Sequence, residues 1–211
     1  AEGMVGSITD VNGGDGTYGI RYTLADVGGS GIKLDYMYFP VHGTGDATGD
    51  EGFSGGGHGN LDAHDITLTG AVPGVEGLNV GAGYYRAKYD LVGSGDTKEE
   101  GTVYATYAYG PVTVGYQVGG VAGQGANPAS YKNQYLGISY AVSDDVSISY
   151  NRTESLKIGA GYQKESDYDS LSLSYSVGGL TLNIADADCT HCGYTVDKKQ
   201  DERTVSMSIA F

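Results

Sequence analysis

The sequence predicts an all-β fold, a transmembrane antiparallel up-and-down β-barrel with eleven or twelve strands in this chain. Three observations carry that expectation. Apolar residues recur at every second position in eleven separate runs. Tyrosine, 19 of the 211 residues, keeps closing those runs. Short and long connections alternate between them, as periplasmic turns and extracellular loops do in membrane barrels.

Composition narrows the field further. The chain has 37 Gly, and each Gly costs a helix about 1 kcal/mol relative to Ala, so long helices are not expected. The Gly has no G-X-Y period, and 4 Pro are too few for a Pro-rich linker. The tyrosines, with Val, Ile and Leu, exclude simple disorder, which is aromatic-poor. No segment approaches the roughly 18 consecutive apolar residues of a spanning helix. A formal charge of −14 makes nucleic acid and anionic membrane surfaces poor partners. The start, Ala1-Glu2-Gly3-Met4, lacks the basic and apolar regions of a signal peptide.

The elements follow in order. Tyr18, Ile20, Tyr22 and Leu24 alternate with Gly19, Arg21 and Thr23, giving a first clear strand over Thr17–Leu24. Ile32, Leu34, Tyr36 and Tyr38 alternate with Lys33, Asp35 and Met37. Ile66 and Leu68, then Leu78, Val80 and Ala82, make the third and fourth. Val103, Ala105 and Tyr107 are followed by Val112, Val114, Tyr116 and Val118. Leu136, Ile138 and Tyr140 lead to Val146, Ile148 and Tyr150. The last runs are Leu171 to Val177, Leu180 to Ile184, and Val205, Met207, Ile209 and Phe211. Between the apolar residues stand mostly Gly, Ser and Thr, a small and weakly charged set that suits a water-filled lumen better than a second core.

Short links are expected at Ala25–Gly31, Val72–Gly77, Gly110-Pro111, Ala141–Asp145 and Gly178-Gly179. Long ones are expected at Pro40–Asn60, Val92–Glu100, Gly119–Ser130, Asn151–Asp169 and Ala185–Glu202, and they hold most of the acidic residues. Two places blur the alternation. The phase shifts near Gly83-Tyr84-Tyr85, which reads as a β-bulge. Leu156, Ile158, Ala160 and Tyr162 also alternate, which reads as a strand pair projecting beyond the bilayer.

Alternation with that bulge turns Arg21, Lys33, Asp35, Arg86, Lys88 and Gln117 towards the lumen, where charges set the field that a permeating ion crosses. One reading makes them a basic wall patch that orients solutes. The plainer one makes them scattered charges in wide water.

Cys189 and Cys192 stand in Cys189-Thr190-His191-Cys192-Gly193. A second ligand pair for zinc is missing, Gly193 occupies the place of a haem-attachment His, and no βαβ context supports a redox motif. A small loop disulfide is expected after passage through an oxidising compartment. Gly119–Gly125 lacks the Lys and the following helix of a phosphate loop and reads as plain loop. The Gly- and Asp-rich stretch Gly43–His64, with His58 and His64, offers cation ligands but lacks the Gly-Gly-x-Gly-x-Asp repeats of calcium β-rolls, and the surface-loop reading is preferred. No spacing joins Ser, His and Asp into a catalytic set, so no enzyme activity, metal or cofactor is expected. Ser-His chemistry of the outer-membrane phospholipase kind stays open, and lysis of phospholipid by the protein would reveal it.

The sequence resembles the C-terminal part of a Gram-negative general porin, most closely those of alphaproteobacteria. The likeness rests on the terminal strand ending in Phe211, on Tyr104-Ala105-Thr106-Tyr107-Ala108-Tyr109-Gly110-Pro111-Val112-Thr113-Val114-Gly115-Tyr116-Gln117, and on Asp144-Asp145-Val146-Ser147-Ile148-Ser149-Tyr150. It runs from about Thr17 to the end. It implies an outer-membrane homotrimer of 16-stranded pores, in contact with lipid and lipopolysaccharide, that passes ions and small hydrophilic solutes. It makes Val205, Met207, Ile209 and Phe211 the C-terminal assembly signal. It also implies an inward-folded third loop with acidic residues, upstream of Thr17, whose constriction segment is not recognisable in this chain.

The leading expectation is therefore a passive diffusion channel, with the acidic loops enriching cations at the mouth. The alternative is a non-conducting surface barrel acting as adhesin or phage receptor. A secreted soluble β protein is the third reading. Residues 1–211 are taken as one barrel domain, residues 1–16 being the end of an inward loop or a weak first strand around Gly3–Thr9. Because barrels of this kind have an even strand number and periplasmic termini, 211 residues read as a piece of a longer chain.

Overall fold

The computed structural model describes residues 19–40, 60–89, 97–122 and 129–209. Within them lie eleven strands: β1 (Ile20–Leu24), β2 (Ile32–Phe39), β3 (Asn60–Ala71), β4 (Leu78–Tyr89), β5 (Thr97–Tyr109), β6 (Val112–Ala122), β7 (Ser130–Ala141), β8 (Val146–Gly159), β9 (Tyr162–Val177), β10 (Leu180–Thr190) and β11 (Lys199–Ile209). They form one sheet in sequence order, each strand antiparallel to the next. This is the up-and-down arrangement that the alternating runs predict. No helix of the described residues is long and apolar enough to cross a membrane.

The turns at one end of the sheet are tight, and glycine makes them so. Gly178 and Gly179 join β9 to β10 with φ of 55° and 84°, the paired left-handed conformation of a two-residue hairpin whose twist matches its strands. Gly77, before β4, has φ of 80°, and its carbonyl accepts the Ala108 N–H at 2.9 Å. A Cβ there would stand 2.1 Å from the Ala108 carbonyl oxygen.

Several strands run further than the apolar pattern shows. β5 begins at Thr97, inside the expected loop Val92–Glu100, and β6 carries Gly119–Ala122, taken above as loop. The expected long link Asn151–Asp169 is instead strand: β8 and β9, of 14 and 16 residues, meet at Ala160-Gly161. About 9–11 tilted residues cross a membrane, so this pair projects beyond it. The bulge expected at Gly83–Tyr85 is absent, since pairing is continuous there with both β3 and β5. The register shift lies instead between Asn60 and Ala63, against β4. Residues 1–18, most of Gly43–His64, residues 123–128 and Phe211 lie outside the described residues.

Two unlike faces result. One carries Leu34, Leu68, Val80, Val103, Val114, Ile138, Ile148, Leu173, Leu182 and Met207, which the register puts on the same face of neighbouring strands. Ile138 is 43% exposed and Leu171 56%, in a band that no described residue covers. The opposite face is built from Ser, Thr, Gly, Asn and Tyr. Every buried residue within the strands lies on this second face, from Phe39 and Ala63 to Gln117, Ser166 and Cys189. Side chains converge on the concave side of a curled sheet, so the polar face is the inner one.

Candidate functional site

The outer face is bounded by tyrosines. Near the short turns stand Tyr107, Tyr109, Tyr140 and Tyr175. Towards the long connections stand Tyr36, Tyr84, Tyr116 and Tyr150, and each reaches a polar group on the neighbouring strand. The Tyr84 hydroxyl donates to Glu99 at 2.9 Å and that of Tyr116 to Gln134 at 2.8 Å. Tyr36 Oη lies 2.8 Å from His64 Nδ1, and Tyr150 donates to Asp169. An amphipathic ring with its apolar body below and a wet hydroxyl above suits a membrane interface.

Beyond this upper row the outer face becomes charged, and this corrects two expected pore residues. Arg86 and Lys88 share the parity of Leu78, Val80, Ala82 and Tyr84 along the ladder with β5, which runs uninterrupted from Leu78 to Lys88, so they lie on the outer face. Arg86 is 3.6 Å from Glu99, and Lys88 is 3.2 Å from Asp62. The apparent phase shift arises because the outer face turns polar above the tyrosines, while the inner face there holds a buried group of Phe39, Ala63, Tyr85 and Ala87. Further round, Asp188 stands directly opposite Asp169 on one side and Asp201 on the other. Partial shielding from water, a hydrogen bond with Asp201 and the charges of Asp201, Asp186 and Asp169 push the Asp188 carboxyl above the usual Asp range.

Arg21, Lys33, Asp35 and Gln117 lie on the inner face. The first three form one cluster: Asp35 accepts from Arg21 at 2.9 Å and from Thr23 at 2.5 Å, and lies 2.5 Å from Lys33. Asp65, one step along the same face, interacts with both Asp35 and Arg21, so two cations stand among two carboxylates. Gln117 donates to Thr102 at 3.1 Å, so it belongs to a different part of the wall. The structure adds Lys98 and Glu100, 2.5 Å apart, along with Asp65, Lys157 and Lys164. Their parity with the polar face was readable in the sequence, but all except Asp65 lie in stretches taken as loop.

The tip between β10 and β11 folds onto this inner face. Cys189 and Cys192 are joined by a disulfide, followed by a single 3-10 turn at Cys192–Tyr194. Tyr194 passes over β9, where Ser166 is buried beneath, and its Oη lies 2.7 Å from Ser155 Oγ on β8. Ser155 donates to Asn133 of β7 at 2.5 Å, and the Tyr194 and Tyr131 rings are 5.8 Å apart.

The whole arrangement is a curved meander with an apolar, tyrosine-edged outside and a polar inside. A comparable one is found in solved structures. An anion-selective porin from Comamonas acidovorans matches with a TM-score of 0.67 over 92% of this chain and 59% of its own, at 14% identity. The fold is that of the outer-membrane porins. The outer membrane channel DcaP of Acinetobacter baumannii matches with TM-score 0.64 and 11% identity, over 90% of this chain and 61% of its own. OmpT, an outer membrane protein of Vibrio cholerae, gives 0.60 and 12%, over 90% and 60%. The chain thus spans about three fifths of the length of the porins it matches. No family model matches the sequence, and no curated protein matches it.

Proposed function

We propose that these strands form part of the wall of a water-filled outer-membrane channel for passive diffusion of ions and small hydrophilic solutes, working as a homotrimer in contact with lipid and lipopolysaccharide. The observation that carries this reading is the division of faces: an exposed apolar band between two rows of tyrosine on one side, and Ser, Thr and ion-paired charges on the other. A receptor barrel needs the first face but has no use for a wide polar lumen. In this reading Arg21, Lys33 and Asp35 bias the passing ion, and pore width sets the size limit.

The test is conductance. Purified protein in planar bilayers is expected to give reproducible steps that recur in threes as trimers insert. A protein that folds with heat-shifted gel mobility yet stays silent would sink the channel reading and favour the adhesin or phage-receptor alternative.

A further inference from the structure

Inner-face cations fall into two kinds. Arg21, Lys33 and Lys98 each lie against a carboxylate, at 2.9, 2.5 and 2.5 Å. Lys157 and Lys164 have no carboxylate partner among the described residues. They are register partners across β8 and β9, on the inner face of the pair that projects beyond the membrane. Like charges directly opposite one another oppose strand pairing, and here aromatic rings rather than acids hold them. Lys157 Nζ lies 5.5 Å from the Tyr131 ring centroid and 5.6 Å from that of Tyr194, and Lys164 Nζ lies 5.9 Å from that of Tyr162. Cation–π contacts steady an ammonium group without cancelling its charge. The disulfide-closed tip brings Tyr194 to this place through its bond to Ser155.

We propose that Lys157 and Lys164, framed by Tyr131, Tyr162 and Tyr194, form an anion-recognition site at the outer mouth of the channel, taking small carboxylate or phosphate oxyanions. Two ammonium groups side by side can share the oxygens of one such anion, which relieves their mutual repulsion. Tyrosine hydroxyls beside them supply neutral donors. The hydrogen bond from Lys157 to the Tyr131 hydroxyl raises the amine's pKa above the usual Lys value, so the group stays charged throughout the physiological range. In a chain of net charge −14, these are two inner-face ammonium groups without an ion-paired acid among the described residues, although Glu165 lines the same recess as Lys164.

The proposal rests on the channel reading, and the test separates the two. In bilayers under a low-salt KCl gradient, Lys157→Gln with Lys164→Gln should lower the chloride-to-potassium permeability ratio by about an order of magnitude, since each unit charge at roughly 10 Å in water weights chloride and potassium by about two in opposite directions. Lys157→Arg with Lys164→Arg should keep the ratio, as should Lys132→Gln, which removes an outer-face lysine. An unchanged ratio in the Gln pair, or an equal fall in Lys132→Gln, overturns the site and leaves the channel standing. A protein without conductance overturns the channel. Calorimetric titration of the folded protein with inorganic phosphate then decides the site alone: heat in the unaltered protein that vanishes in the Gln pair supports it, and heat in neither or both overturns it.

Discussion

At Gly77 the backbone needs φ of 80°, and a methyl group would stand 2.1 Å from the Ala108 carbonyl oxygen on the next hairpin. Gly77→Ala therefore brings a left-handed conformation, about 1–2 kcal/mol for an L-residue, together with a clash against backbone. The expected outcome is loss of urea resistance in the refolded barrel, whereas Gly28→Ala, at φ 65° with open space around it, should cost only the conformational part. Asp188 gives a pH-dependent case. Its folded pKa lies above 3.8, so the folded state binds its proton more tightly than the unfolded chain does. The stabilisation this provides is present at low pH and is lost as pH rises through the folded pKa. Asp188→Asn should accordingly raise the unfolding temperature at pH 7, and the gain should fade as pH falls below the ordinary Asp range. A gain that persists at low pH would point to a cause other than charge.

At the scale of the strand, one position decides between lipid and lumen. Ile138 is on the outer face of β7, and Ser139 beside it is on the inner face. Ile138→Arg should destabilise the folded barrel by about 2–4 kcal/mol near the bilayer middle, read from urea unfolding in lipid vesicles. Ser139→Arg should leave that stability nearly unchanged and move ion preference towards anions. Equal damage from both would contradict the assignment of faces. Arg21, Lys33, Asp35 and Gln117 each stand between two apolar or tyrosine neighbours on a strand of regular period-2 spacing, which is what the sequence can show of a face. Arg86 and Lys88 were misread because they lie above the tyrosine row. There the outer face meets water and the inner face packs Tyr85 and Ala87, so apolar and polar exchange sides while β4 keeps an unbroken register with β5.

For the whole molecule, the Arg21, Lys33 and Asp35 cluster offers a test of the lumen field. Reversing both cations, Arg21→Glu with Lys33→Glu, should move the bilayer reversal potential towards cation preference, several-fold in permeability ratio. An unchanged potential would mean these charges lie in wide water, away from the ion's path. The effect should shrink at high salt, because charges more than about 10 Å apart are screened at 0.1 M.

By itself the sequence determined the eleven strands found among the described residues, their antiparallel order and the outer apolar band, since each follows from period-2 spacing and from glycine in tight turns. These are local properties, and the chain states them residue by residue. Only the tertiary structure decided how far strands run past the membrane and on which side the charges beyond it lie. It also placed the Cys189–Cys192 tip against Ser155, Tyr131 and Lys157. That contact brings together residues from β7, β8 and the β10–β11 connection, and no spacing along one strand encodes it. The physical reason is curvature: once the sheet curls, side chains on its concave face meet across intervening strands.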